Sequence, residues 1–254
     1  MRTFSCQSGS NGNCIFVQAG DTRLLIDAGI SGKQAQQRMA QHQQPARVVD
    51  ALVVSHDHGD HSRCAGIYQR KFGMPIYATR GTARACRRRW ERVHDVREFT
   101  AGDSFEVGRV TVHTLATPHD GVDGACFVVE HGGLRLGVLT DLGHPFADLR
   151  RLLSTLDGVY LESNYDPEML ERGPYPYYLK RRISGRRGHL SNNEAAALLR
   201  DAAREGRLRW AVLSHLSEEN NTPELALRTA RQIVGPELKL YVASRHVVSD
   251  AWEL

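Results

Sequence analysis

Short apolar strands alternating with amphipathic helices predict an α/β protein whose sheets are covered by helices. Three features carry that prediction. The apolar runs end at Asp, Ser or His, helix caps fall between them, and no repeat or Pro/Gly/Ser-rich linker divides the 254 residues. One domain over 1–254 is therefore expected. In order, residues 13–18 and 23–27 read as strands through CIFV and LLI, and 31–41 as a helix. Residues 50–54 (DALVV) form a buried strand ending at Ser55. Helices are expected over 62–72 and 80–93, separated by the short strand PIY. Strands follow at 109–115, 125–130 and 134–139. The last two are joined by Gly132-Gly133, which supply the positive φ of a tight hairpin. A helix over 146–153 leads to the strand GVYLE. Ser191, with Glu194 three residues on, is a capping box that opens a helix over 191–205. Strand 209–213 ends at Ser214, and Thr222-Pro223 caps and starts a helix over 223–234.

Composition sets the outer bounds. A hydrophobic fraction of 41% is enough for a real core. Lys+Arg 33 against Asp+Glu 29 leaves a net charge of +4, a mild bias whose meaning depends on where the charges sit. Five scattered cysteines without a C-x-x-C pair argue against a disulfide scaffold or a zinc ribbon. The first residues, MRTFSCQSGSNGN, lack the apolar region of a signal peptide, and no run approaches the roughly 18 apolar residues of a membrane span. A cytoplasmic protein without membrane contact is the expectation.

One stretch dominates the chemistry: Ser55-His56-Asp57-His58-Gly59-Asp60-His61, at the end of a buried strand. Imidazole nitrogen and carboxylate oxygen together suit Zn, Mn or Fe. Residues two apart in an extended loop point to one side, so His56 and His58 can converge on one ion. Asp60 and His61, at a turn into a helix, can face a second. Asp27 (LLIDAG), His119 (LATPHD), Asp141 (GVLTDLG) and His215 (AVLSHLS) each end an apolar strand. Any one alone reads as a turn residue. Strand ends on one sheet edge converge, so together with the loop they read as a metal centre.

Asp27, the His56/His58/Asp60/His61 loop, His119, Asp141 and His215, in that order, resemble the five motifs of the metallo-β-lactamase superfamily over about residues 4–250. The resemblance implies an αββα sandwich, two facing sheets between helix layers, with two divalent metal ions at the sheet edge. It implies that His56, His58 and His119 hold one ion, that Asp60, His61 and His215 hold the other, and that Asp141 bridges both. Asp27 would orient the loop, as a ligating His wants its second N–H tied to an acceptor. Two close cations lower the pKa of a bridging water, so hydroxide is available near neutral pH for attack on an ester, amide or phosphodiester. Asp60 is expected to be both ligand and catalytic residue.

The segments LESNYD (161–166), GPYP (173–176), LKRRI (179–183), GHLSN (188–192) and LSHLSEENN (213–221), with SGSNGN (8–13), resemble the YycJ/WalJ-type branch of the superfamily. That branch implies a 5′-to-3′ DNA exonuclease in replication or repair. The Glu162 and His189-Leu190-Ser191 elements also resemble segments of ribonuclease Z, again a phosphodiesterase. Asp141 and His215 are 74 positions apart, which leaves no room for the inserted domain of the β-CASP branch.

Two basic clusters support a nucleic-acid partner, and the resemblance implies that it is DNA. Residues 84–92 carry +4 and residues 180–187 carry +5, so the rest of the chain sums to −5. Lys180, Arg181, Arg182, Arg186 and Arg187, with Ser191, are candidate phosphate contacts. The arginines of 84–92 are either a second such surface or a solvated helix face. Tyr175, Tyr177 and Tyr178 either stack on a terminal base or pack inward. His189, beside the capped helix, is expected to contact the scissile phosphate or protonate the leaving oxygen, with Glu162 supporting it. The Ser8–Asn13 turn either offers N–H groups to a phosphate or is a plain hairpin. Cys64 is read as packing, and Asp57 and His144 carry no metal role. Competing classes are a hydrolase of small anionic esters or thioesters and a non-catalytic nucleic-acid-binding protein.

Overall fold

The computed structural model describes residues 1–254. The first half runs β1 (Arg2–Gln7), β2 (Cys14–Ala19), β3 (Thr22–Ile26), α1 (Gly32–Gln41), β4 (Ala51–Val53), α2 (Gly59–Ser62), α3 (Ala65–Phe72), β5 (Ile76–Thr79), α4 (Arg80–Trp90) and β6 (Val96–Phe99). The second runs β7 (Ser104–Val107), β8 (Val110–Ala116), β9 (Ala125–His131), β10 (Leu134–Leu139), α5 (Ala147–Leu153), β11 (Gly158–Glu162), α6 (Pro167–Arg172), α7 (Tyr177–Ile183), α8 (Asn192–Arg204), β12 (Trp210–Ser214), α9 (Pro223–Val234) and β13 (Lys239–Val242). A final short strand, β14 (Trp252–Glu253), returns to the first sheet beside β1.

Two seven-stranded sheets result, ordered β14-β1-β2-β3-β4-β5-β6 and β13-β12-β11-β10-β9-β8-β7. Alternation along the strands explains why they face each other. In β2 and β3, Val17, Leu24 and Ile26 join Phe127, Val129, Val138, Tyr160 and Val212 of the other sheet in a core between the sheets. Their neighbours Phe16 and Leu25 point outward to Ala35, Met39, Tyr68 and Trp90 of α1, α3 and α4. In the second sheet Val159 and Leu161 flank inward Tyr160 and pack on Leu149, Leu198 and Ala226 of α5, α8 and α9. Helix, sheet, sheet, helix is the layering the sequence resemblance implied, and the α/β class stands.

Each sheet is half antiparallel and half parallel: β3-β4-β5-β6 in one, β10-β11-β12-β13 in the other. Carboxyl ends of parallel strands are where α/β proteins bind ligands. The ends of β3, β4, β10, β11 and β12 carry Asp27, Ser55-His56, Asp141, Glu162 and His215.

Several elements were not anticipated. β1 (RTFSCQ) mixes polar and apolar residues, yet Thr3, Ser5 and Gln7 are buried. β6 and β7 are sheet edges with little burial, and so carry little pattern. The helix expected over 80–93 stops at Trp90, because Glu91 and Arg92 take left-handed φ of 38° and 50°. The helix expected over 62–72 begins as α2, breaks around Arg63 and Cys64, and resumes as α3.

Candidate metal centre and cleft

The loop after β4 is held by main chain before it is held by any side chain. Ala28 N–H donates to His61 O at 2.6 Å, Cys64 N–H to Ala28 O at 2.9 Å, Asn13 N–H to Asp60 O at 2.7 Å, and Gly29 N–H to Asn13 O at 2.8 Å. The backbones approach so closely that a Cβ on Gly29 would sit 1.7 Å from Asp60 O. Three of the four strand-end residues named above, Asp27, Asp141 and His215, adopt left-handed φ of 66°, 56° and 56°. That conformation is costly for a non-glycine residue, and such cost gathers at functional sites. Here it turns each side chain back over the sheet edge.

Donor atoms then converge in the sets expected. One atom each from His56, His58 and His119 lies within 4.8 Å of the others, as does one from each of Asp60, His61 and His215. Asp141 sits between them, with Oδ2 3.0 Å from His61 Nε2 and Oδ1 3.4 Å from His119 Nε2. His58 Nδ1 and His119 Nε2 face each other at 3.3 Å. Within this cluster two buried atoms have no hydrogen-bond partner, His56 Nε2 and Asp141 Oδ2. Asp141 Oδ2 is close to His61 but not aligned with it as a hydrogen bond. Buried polar atoms are seldom left this way. Orphaned nitrogen and oxygen donors that face one another fit a pair of divalent cations.

The opposite ring atoms are tied off. His61 Nδ1 donates to Asp27 Oδ2 at 2.6 Å, and His119 Nδ1 donates to Gly188 O at 2.8 Å. Asp27 also accepts from Ser55 N–H and Oγ–H, and Ser55 Oγ lies 3.0 Å from His56 Nδ1. Each such bond fixes the tautomer that leaves Nε2 free. Glu162 is fully buried; Oε2 accepts from Leu142 N–H and Leu190 N–H, and Oε1 from His189 Nδ1 at 2.7 Å.

Electrostatics follow from this packing. Burial pushes the His56 imidazole well below its ordinary range, helped by the neighbouring His61. Burial lowers His119 too, helped by the neighbouring His189. Burial also opposes charging of His215, but Asp141, Asp60 and Glu162 outweigh it and raise His215 to about 10. His61 is raised for the same reason by Asp141, Asp27 and Asp60. Burial works to raise Glu162, yet His189 overcomes it and brings the carboxyl down to about 2. Burial likewise fails to raise Asp60 and Asp141, held ionised by His61 and His215.

The cluster opens into a cleft of about 360 Å³ lined by His58, Asp60, Asp141, Asn164, Tyr175, Arg182, His189, His215 and Ser10, among others. The basic residues of 180–187 divide here. Arg182 reaches the cleft but is clamped by Asp120, with Nε to Oδ2 at 2.7 Å and Nη2 to Oδ1 at 3.1 Å. Lys180 Nζ donates to Glu171 O, Arg181 lies over the Tyr177 ring, and Arg186 contacts His144. Arg187 is exposed. Ser191 is a correction to the expected phosphate contacts: it is 5% exposed, and its hydroxyl caps α8 and bonds Glu194. Tyr177 and Tyr178 are 74% exposed, so they do not pack inward. In the other basic run, Arg89 donates to Asp57 O and Ser62 Oγ and thereby braces the metal loop. The Ser8–Asn13 segment is a braced loop, with Asn13 Oδ1 accepting from Gly9 N–H and Asn13 Nδ2 3.0 Å from His61 Nε2.

Sequence reasoning missed Asp120, Asn13, Ser55 and Asn164. Asp120 follows a ligand candidate in HD and was open to detection; the other three are ordinary loop residues with no spacing signal.

The beta-lactamase superfamily domain matches residues 22–215. The chain is 31% identical to the exodeoxyribonuclease YycJ of Bacillus anthracis, over 89% of this chain and 86% of that protein. It is 30% identical to the exodeoxyribonuclease WalJ of Streptococcus pneumoniae, over 97% of this chain and 96% of that protein. Among solved structures, the metallo-beta-lactamase fold protein YhfI from Bacillus subtilis superposes with a TM-score of 0.73 at 17% identity, covering 99% of both chains. The chain belongs to the metallo-β-lactamase superfamily of hydrolases and resembles its YycJ/WalJ members.

Proposed function

We propose that the protein is a binuclear-metal phosphodiesterase that degrades DNA from an end, 5′ to 3′, in replication or repair. One observation carries the reading. The donor cluster opens into a cleft bordered by α7, which presents Lys180, Arg181 and Arg182 and two exposed tyrosines, Tyr177 and Tyr178. Cations and aromatic faces on one helix suit the backbone and bases of a strand end. The YycJ and WalJ relatives are both exodeoxyribonucleases, which supports the same substrate. Direction rests on that likeness alone.

In this reading His56, His58 and His119 hold one cation, Asp60, His61 and His215 the other, and Asp141 both. Zn, Mn and Fe all suit such donors. Bound there, the cations supply Lewis acidity and an activated water. The chain does the rest. Asp27 and Ser55 orient His61 and His56. Glu162 holds His189 through Nδ1, which leaves Nε2 facing the cleft to donate a proton to the departing oxygen. Arg182 and Asp120 form a fixed side of the cleft, while Lys180, Arg181, Arg186 and Arg187 hold backbone phosphates. One domain spans 1–254. No helix is long and apolar enough to cross a membrane, and five buried free cysteines suit a reducing cytoplasm.

The test is an assay of end-labelled single- and double-stranded DNA, RNA and a small phosphodiester with Mn, Zn or Mg, beside an Asp60→Ala/His61→Ala control. Stepwise shortening of DNA from its 5′ end is expected. Cleavage of the small ester alone refutes the reading.

A further inference from the structure

Behind the Ser8–Asn13 loop lies a second cavity, of about 430 Å³. Its wall contains Arg38, Arg63, Arg245 and His246 and no carboxylate. The N-terminus of α1 also opens there, through Ser31 and Gln34. The three guanidinium groups are not neutralised in the usual way. Arg38 donates to Cys6 O, Gln7 Oε1 and His246 O. Arg63 donates to Gly29 O and Asn11 O. Both are thus fixed by neutral acceptors and keep their charge. Arg245 has one acidic partner, Glu218, which is itself 62% exposed; its other contacts are Leu216 O and Ser10 Oγ. The Arg245 side chain is only 10% exposed, and its buried Nε has no partner at all.

A buried cation with an unused donor is costly, and so are three like charges around one space. Surface arginines are ordinarily free to move apart, but these three are pinned by backbone carbonyls. An anion in the cavity would offset that cost, and a tetrahedral oxyanion matches forked N–H donors at a helix N-terminus. The residues of the cavity are also linked to those of the cleft. Arg245 bonds Ser10, which lines the cleft, and Arg63 lies two residues after His61 in the loop that supplies the donors.

We propose that this cavity binds a phosphate group of the polynucleotide other than the one being cleaved. The proposal rests on the nuclease reading above and adds a fixed point for the strand on the far side of the loop from α7. It differs from the α7 surface, where Arg182 is paired with a carboxylate, Asp120. The cavity would set the path of the strand, while α7 supplies general attraction.

Two single variants test it: Arg38→Gln and Gln34→Glu. The first removes a donor. Gln34→Glu preserves the capping box, since Glu at this position serves Ser31 as Gln does, and it introduces a carboxylate into the cavity, so it keeps the test open even if Arg38→Gln fails to fold. Each is measured with fluorescein-labelled single-stranded DNA by anisotropy, with inorganic phosphate by calorimetry, and for hydrolysis of a small phosphodiester. The expected result is DNA affinity about tenfold weaker in each variant, a salt dependence reduced by about one phosphate contact, and unchanged hydrolysis of the small ester. DNA affinity equal to the parent's in Gln34→Glu overturns the proposal and leaves the nuclease reading standing. Loss of inorganic-phosphate binding with DNA affinity unchanged also overturns it, and marks the cavity as a site for a free anion. A parent protein that neither binds nor cleaves DNA refutes both readings together.

Discussion

The two halves of the sandwich supply the proposed metal centre in different ways. The first half gives four donors from one loop, residues 56–61, pinned by main-chain hydrogen bonds to the 27–29 turn and Asn13. The second gives single residues from separate places: His119 beyond β8, Asp141 after β10 and His215 after β12. Donors in a shared loop stand or fall together, because displacing the loop moves both ion sites. Donors from separate places are independent, and two of them have their own anchors: Gly188 O for His119, Asn164 for His215. The difference predicts collective loss on one side and graded loss on the other.

The largest effect should come from the loop. Gly29→Ala forces a Cβ into Asp60 O, so the loop must move and both cations should be lost together. Metal content by atomic spectroscopy should fall toward zero with turnover at background. Retention of one ion would show that the loop is not a single unit.

His189→Ala should come next. It removes no donor of either three-residue set, so metal content should stay at the parent level while turnover falls by about 10²–10⁴-fold. Undiminished turnover would exclude His189 as a proton donor. Glu162→Gln should reproduce part of this loss and shift the pH profile, since the amide still accepts a bond but no longer carries charge.

Asp27→Asn is smaller. It leaves the loop in place but weakens the hold on His61 Nδ1, and metal affinity should fall by about 10–100-fold. Because Asp27 bonds His61 directly and reaches His56 only through Ser55, a larger fall at the His56 set than at the His61 set would contradict that role.

The smallest effect concerns pH. In the metal-free chain His215 is raised to about 10 by Asp141, Asp60 and Glu162 against the burial that would lower it. Its contribution to stability is complete below the unfolded value of about 6.5 and is lost as pH rises through about 10. The melting temperature of the metal-free protein should therefore decline across that window. Metal requires the neutral ring, so metal affinity should rise over the same range. Parallel pH dependence with and without metal would mean that His215 does not ligate.

The same asymmetry governs what the sequence discloses. The donors of the loop were legible because four of them lie within six residues, and local spacing survives in a string. His119, Asp141 and His215 were legible only as ends of apolar runs. Glu162 and His189 entered through likeness to relatives, and their mutual bond is a tertiary fact between residues 27 apart. Asp120 went unnoticed because its work, clamping Arg182, spans 62 residues. Ser191 misled, because a serine that caps a helix and one that touches phosphate look alike in a sequence. The sheet edges β6 and β7 were hidden by exposure, which erases the alternation that marks a strand.

The main-chain bonds around the 56–61 loop bear also on how such a centre changes over time. Peptide groups are common to every residue, so the positions of the ligating Cα atoms do not depend on which side chains they bear. His, Asp or Glu can be exchanged at a ligand position without rebuilding the frame. The same amides, though outside any regular strand, should be among the slowest in the chain to exchange with solvent deuterium. A loop can then be as durable as a core strand and still be open to new metals.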